Sequence, residues 1–424
     1  MANVFPCIRG NVFFCEKINS EVKALSKFSS YFLMQEVDIA AYILETTNLF
    51  NPADNLAVNE IGDGNLNYVF RVSNGIKSII VKHSGVVARI SDEFKLSTDR
   101  TIREGKLLKV HGEIVPQLVP HIYAIDDVMK CVIMEDLKEY TVLRQGLIDG
   151  NIYPNIGVDL GTYLAETLIN TSDFVLDAKE KKALQKDTIN PELCEISEDL
   201  VFTEPFYDNF SRNEVSSALL PYVEQLLYND DTLKLAVAEA KLKFLNKSQS
   251  LIHGDLHSGS VFVNETETKV IDPEFGFYGP AGYDVGNVLA HLFFAYSNAQ
   301  AHGRDEQAKF IAESITEVLE VFKQKSLAIL QEKTKDVALK QASVYASYIR
   351  SVLEDAYVVC GLEIIRRIVG LAKVNDLTTL PEQQCVQIEV QLIKFAKSLI
   401  QHPESVSIYP SIFSLYTEFK EIAA

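Results

Sequence analysis

A chain of 424 residues with 47% hydrophobic and 10% aromatic content can bury a sizeable core and has room for two domains. Its 40 basic residues are outnumbered by 58 acidic ones, giving a formal charge of -18 that excludes the clustered positive surface nucleic-acid binding needs; an anionic ligand has to meet a local basic pocket. The six cysteines (Cys7, Cys15, Cys131, Cys194, Cys360, Cys385) form no C-x-x-C, no apolar run reaches the roughly 18 residues of a membrane span, and Arg9, Glu16 and Lys17 interrupt any secretory leader, so zinc, disulfide, membrane and secreted classes give way to a cytosolic protein.

Residues 1–36 form an N-terminal extension to which the pattern assigns nothing. A helix is expected over 37–50, stopping before Asn51-Pro52. NYVFRVSNG and IKSIIVKHS (67–84) read as a hairpin turning at Ser73-Asn74-Gly75. The next helix should begin near Thr98 or Asp99 and stop at Gly112, and MKCVIMEDL (129–137) reads as a strand buried at its centre. Helical signals then take over at 157–170, 211–247, 305–333 and 334–373. This order predicts an α+β fold with a small β-rich lobe over 37–137 and a large, mainly helical lobe over 138–424, parting near Leu137.

Between the helical stretches lies LIHGDLHSGSVFVNETETKVIDPEFGFYGP (251–280), which sets His253, Asp255, His257, Asp272 and Glu274 among apolar segments. Taken as strands 260–263 and 269–272 around a turn centred on Thr266, the pattern pairs Ser260 with Asp272 and brings three carboxylates to one end of the ladder. Crowded carboxylates are relieved by a hard cation, and Mg²⁺ is the usual one where phosphates complete its octahedron. The two histidines are also explained by bonds to backbone carbonyls, and Asp284 by a cap on the helix that follows.

Lys82 shares a strand face with Ile80, and Glu104 lies on the helix face of Leu107 and Leu108, which predicts an inward Lys82–Glu104 ion pair. Kinases use such a pair to hold the α- and β-phosphates of ATP. Upstream, EIGDGNLN (60–67) supplies a glycine- and asparagine-rich turn for close approach to phosphates. No G-x-x-x-x-G-K-[ST] occurs, which leaves a protein-kinase-like, two-lobe architecture. In that frame MEDL (134–137) is the hinge whose backbone bonds adenine, Asp255 is the catalytic base, and Asp272 with Glu274 holds Mg²⁺ against the β- and γ-phosphates.

EIGDGNLNYVF, VIMEDL, NPELCEISEDLVFTEPF, LIHGDLHSGSVF, TKVIDPEFGFYGPAGYDVGN and GLEIIRRIVGLA together resemble the methylthioribose kinase family, relatives of the aminoglycoside and choline kinases, from about residue 37 to the end. The resemblance implies transfer of the ATP γ-phosphoryl group to the 1-hydroxyl of S-methyl-5-thioribose in methionine salvage. It implies that Asn67 and Lys82 bind ATP, that Glu135, Asp136 and Leu137 form the adenine hinge, that Asp255 contacts the sugar as catalytic base, that Asp272 and Glu274, flanking Pro273, carry Mg²⁺, and that Arg366 and Arg367 bind substrate. It further implies a homodimer. By pattern alone Glu363, Arg366, Arg367 and Gly370 make a solvated helix arc with a Glu363–Arg367 pair, and only the resemblance turns the arginines into ligands.

Two departures stand out. The family's tryptophan-bearing loop has no counterpart in a chain without tryptophan, and Phe94, within 91–100, occupies its place. Ser260 stands where other kinases of this fold place asparagine, which shifts the second metal contact toward Glu274. Three rival readings remain: a kinase of another small molecule (a deoxysugar, an aminoglycoside or choline), a metal hydrolase with His253, Asp255 and His257 as ligands, and a non-catalytic nucleotide-binding module.

Overall fold

The computed structural model describes residues 26–61, 67–85 and 97–421. The chain divides into two compact units, the first made of residues 1–106 and 121–136 and the second of 107–120 and 137–424.

The first unit is built on one antiparallel sheet of five strands, β1 (Ala57–Glu60), β2 (Asn67–Ser73), β3 (Ser78–Ser84), β4 (Ile122–Asp126) and β5 (Cys131–Glu135), in the order β1-β2-β3-β5-β4. The expected hairpin is β2–β3, with Ser73 opposite Ser78 and Gly75 at φ +87° in its turn. The expected helix is Glu36–Thr46, fixed at its start by a capping box in which the Asp38 carboxylate accepts from the Gln35 N–H. Its buried Ile39, Tyr42 and Ile43 pack with Phe70, Val72, Ile79, Val81 and Ile133. Phe28 and Met34 join the same core, so the extension's described end (26–36) is part of this unit's packing. The helix after the sheet's first three strands runs Asp99–Ile114 and passes through Gly112, stopping only ahead of Pro116, which cannot continue a helix.

In the second unit, β6 (Thr141–Val142), β8 (Val261–Val263) and β9 (Thr268–Val270) form one small sheet, while β7 (Ser250–Ile252) pairs with β10 (Phe277–Gly279). Helices supply the rest, chiefly Ile156–Asn170, Gly282–Ala301, Asp305–Lys333, Ala342–Val369 and Glu382–Gln401. Three expected helical stretches are shorter than predicted, the first ending at Thr46 and not at residue 50. Residues 211–219 are irregular and end in a turn before the helix at Leu220, and 334–341 precede the one beginning at Ala342.

Gly282–Ala301 is buried almost throughout. It meets Ala342–Val369 backbone to backbone: a Cβ on Gly282 would lie 2.5 Å from the Val352 oxygen, and one on Gly286 would lie 2.5 Å from the Ala356 oxygen. The absence of side chains at these two positions, one turn apart on the same face, sets the spacing of the two helices that carry much of the site. No helix among the described residues is long and apolar enough to cross a membrane.

Candidate active site

The β8–β9 hairpin places the acidic residues, but not in the expected register. Asn264 Oδ1 accepts from the N–H groups of Thr266 and Glu267, closing a four-residue turn that pairs Val263 with Thr268 and Val261 with Val270. Ser260 therefore faces Ile271, whose N–H donates to the Ser260 oxygen at 2.9 Å, and not Asp272. Asp272 falls beyond the ladder in the left-handed region (φ 60°, ψ 45°), which turns the chain into the short 3₁₀ turn Pro273–Phe275. Buried Pro273 stiffens that turn. Asp272 and Glu274 thus flank one proline on one turn.

The loop carrying Asp255 packs against this turn. His253 Nε2 donates to the Ile271 oxygen at 2.8 Å, as expected for a buried structural histidine, and burial holds its pKa below the ordinary value. Gly254, at φ +83°, lies so close to Phe275 that a Cβ would be 2.3 Å from its carbonyl oxygen. Asp284 is not a cap. Its buried carboxylate accepts from the N–H groups of His253 (2.7 Å) and Gly254 (3.0 Å), so the first turn of Gly282–Ala301 grips the loop one residue before Asp255. Burial raises the Asp284 pKa despite those bonds. Ser260 Oγ donates to the Asp255 carbonyl at 3.0 Å, so this serine braces the loop.

Asp255 faces hydrogen-bond donors, two of them cationic. His257 Nε2 lies 3.4 Å from Asp255 Oδ2, and Arg366 and Arg367 approach Oδ1 at 3.8 and 3.6 Å. His257 Nδ1 accepts from the Gly259 N–H at 2.9 Å, which puts the ring proton on Nε2, toward Asp255. Burial works against ionisation of Asp255, but His257, Arg366 and Arg367 outweigh it and hold the carboxyl well below the usual range.

The arginine arc is not solvated. Glu363 and Arg367 are buried, and the Arg366 side chain is only 12% exposed. Glu363 Oε1 accepts from Arg367 Nε at 2.6 Å, and Oε2 lies 3.5 Å from Arg366 Nη1. Helical periodicity placed these residues on one face; it could not show that Asp255 and His291 cover that face from other segments, with Arg144 (3.7 Å from Asp376) behind His291.

In the first unit Lys82 Nζ and Glu104 Oε2 form the expected ion pair at 2.8 Å, with Glu104 wholly buried. Asn67, also buried, accepts from Ser84 Oγ and Thr101 Oγ1. The Glu135 carboxylate accepts from the His121 N–H, and Asp136 takes a two-pronged bond from Arg71 at 2.8 and 3.0 Å. The side chains of these two acids are thus engaged in the unit's own structure. Leu137 opens the second unit, its oxygen accepting from the Tyr140 N–H. Residues 62–66 of the glycine-rich turn and Phe94 lie outside the described residues.

The zinc-hydrolase alternative finds no support, since His253 Nε2 is taken up by the Ile271 oxygen, His257 Nδ1 by the Gly259 N–H, and His257 Nε2 by Asp255 itself. The donor set fits Mg²⁺ better. Asp272 and Glu274 offer hard carboxylate oxygens on one turn, the donor type Mg²⁺ takes.

A loop carboxylate braced by a helix-borne aspartate, beside a D-P-E turn and with a separate buried Lys–Glu pair, is the equipment of a phosphotransferase. The model of the phosphotransferase enzyme family APH matches residues 57–317, and the chain belongs to that family. Within it, the chain groups with the methylthioribose kinases. Those of Bacillus thuringiensis subsp. konkukian (strain 97-27) and Bacillus cereus (strain AH187) are each 38% identical over 88% of this chain and 93% of the relative. A choline kinase from Cryptosporidium parvum is similar at 15% identity and a TM-score of 0.42, over 88% of this chain and 95% of that one, too remote to bear on substrate.

Proposed function

We propose that this chain is a cytosolic, homodimeric, ATP- and Mg²⁺-dependent kinase of S-methyl-5-thioribose, acting at the 1-hydroxyl in methionine salvage. What carries the reading is the convergence of Arg366 and Arg367 on Asp255, in a chain 38% identical to kinases named for that sugar. Cationic acceptors such as choline call for acidic or aromatic enclosure, whereas here the carboxylate is faced by arginines, which suits a neutral sugar receiving an anionic group.

ATP supplies the phosphoryl group, and Mg²⁺ offsets charge on it. Asp272 and Glu274 would hold the metal, Pro273 keeping their turn rigid. Lys82, oriented by Glu104, would take the phosphates, with Asn67 nearby in sequence at the head of β2. Because their side chains are engaged, Glu135 and Asp136, with Leu137, would meet adenine through the main chain.

Asp255 is ionised at neutral pH and accepts a hydrogen bond from the sugar 1-hydroxyl, aiming its oxygen at the phosphorus. A carboxylate with so low a pKa is a weak base, so the proton reaches it late, as the new O–P bond completes and the old one breaks. Orientation is its larger contribution. Arg366 and Arg367 then face the product phosphate.

Purified protein with Mg-ATP is expected to phosphorylate methylthioribose at least as well as kanamycin or choline; turnover of either with none of methylthioribose rejects the assignment. Asp255→Asn should abolish transfer while calorimetric ATP binding stays nearly intact.

A further inference from the structure

A run of hydrogen bonds beneath the Asp255 loop has a fixed direction. At one end stands Glu363, holding Arg367 through Oε1 and Arg366 through Oε2. His291 Nε2 lies 3.2 Å from the same Oε1, and a carboxylate so deeply ionised only accepts, so Nε2 carries the proton. At the ring's other side, Nδ1 lies 3.4 Å from Arg144 Nη2 and 3.3 Å from Ser258 Oγ. Arginine only donates, so Nδ1 must accept. Both ends demand the same neutral tautomer, and burial, opposed by the bond to Glu363, pulls the ring's pKa well below its ordinary value.

Arg144 ties this run to the catalytic loop. Its Nε donates to Ser258 Oγ at 3.1 Å and its main-chain N–H to the Ser258 oxygen at 3.0 Å, three residues beyond Asp255. Asp376 backs it at 3.7 Å. The His291 ring also lies 5.4 Å from that of His257, which itself bonds Asp255. Three segments distant in sequence, the helix Leu143–Ile148, the Asp255 loop and the arginine helix, are therefore joined through a single imidazole.

Building on the proposed kinase function, we propose that Arg144 and His291 are positioning residues that lock the Asp255 loop to the Arg366–Arg367 pair and so set the distance between the group orienting the acceptor hydroxyl and the groups facing its phosphate. Neither needs to touch substrate. An imidazole that donates one way and accepts the other transmits orientation as a phenyl ring of similar size does not.

The test is a pair of variants assayed with both substrates varied. His291→Phe keeps ring volume and loses both bonds. Arg144→Lys keeps charge and loses the fork. Each is expected to lower kcat/KM for methylthioribose about 10- to 100-fold, the scale of an ångström-sized misplacement, with KM for Mg-ATP within about twofold. His291→Gln, whose amide N–H can reach Glu363, should recover much of the loss. Losses below about threefold in both variants, or equal losses for sugar and ATP, overturn the role. Should His291→Phe not fold, Arg144→Lys decides. A further readout needs no turnover: ¹⁵N spectra of the histidine-labelled wild type should show His291 neutral with its proton on Nε2 at pH 7, and an Nδ1–H form or an imidazolium overturns the proposal whichever sugar is accepted. Wild-type protein inactive on methylthioribose would reject the substrate assignment and leave the spectra to judge the positioning role.

Discussion

Alanine at position 254 should uncouple the Asp255 loop from the Asp272–Glu274 turn. Gly254 sits at φ +83°, where an L side chain costs about 1–2 kcal/mol. The larger effect is steric. The new Cβ would lie 2.3 Å from the Phe275 oxygen and 2.6 Å from its carbonyl carbon, whereas ordinary contact begins at 3.4 Å. Both partners are backbone, so loop and turn must part by about 1 Å, a misplacement that costs on the order of 100-fold in rate when it falls between reacting groups. Gly254→Ala is thus expected to lose about 2–4 kcal/mol of stability and about 100-fold in kcat, read by thermal unfolding and by ADP release coupled to NADH oxidation. Gly303→Ala is the control: its φ of +67° brings similar strain, but nothing lies within 4 Å of the added carbon. It should lose some stability and keep its rate. Activity of Gly254→Ala within threefold of wild type, or an equal rate loss in Gly303→Ala, refutes the reasoning.

Removing Lys82 as Lys82→Met takes the cation from a fully buried carboxylate 2.8 Å away and should cost about 3–5 kcal/mol in urea unfolding, much of it regained in Lys82→Met/Glu104→Leu; a single variant within about 1 kcal/mol of wild type contradicts the pair's importance. Asp376 is pushed up to about 6 by burial, with Arg144 and Arg367 pulling the other way. From an unfolded value of about 3.9 up to that pKa the native state binds the extra proton, so this group's contribution to stability falls as pH rises through the window, by about 2–3 kcal/mol in all. The stability difference between Asp376→Asn and wild type should therefore grow in the variant's favour between about pH 4 and pH 6 and level off above; a flat difference would show that Asp376 titrates normally.

Local periodicity was enough to find the Lys82–Glu104 pair, because strand and helix periods each specify a face, and a lysine and a glutamate on two inward faces have to neutralise one another. The same reasoning found the Glu363–Arg367 pair but wrongly left it, with Arg366, in solvent. A helical wheel shows which residues share an arc but not what covers it, and the covering groups come from positions 144, 255 and 291. The hairpin register went astray by one residue because Asn264 draws its turn tight through a side-chain bond. Asp284 was visible in GYDVGN and misread as a cap; its partners are main-chain N–H groups thirty or so residues earlier, which no composition signal marks. Gly112 looked like a helix stop, yet a glycine in ordinary helical geometry ends nothing when Pro116 lies just ahead.

The contact of Gly282 and Gly286 with the backbone of Ala342–Val369 bears on how tolerance data from this chain should be interpreted. A saturation library scored for growth would find both glycines as intolerant as Asp255, although neither offers a functional group. Any methyl there wedges apart the helix of Asp284 and His291 from the helix of Glu363 and the arginines, and inactivity follows at a distance. Intolerance at these two sites measures the gap between two rods, and only the activity of the protein that still folds can tell that spacing apart from chemistry.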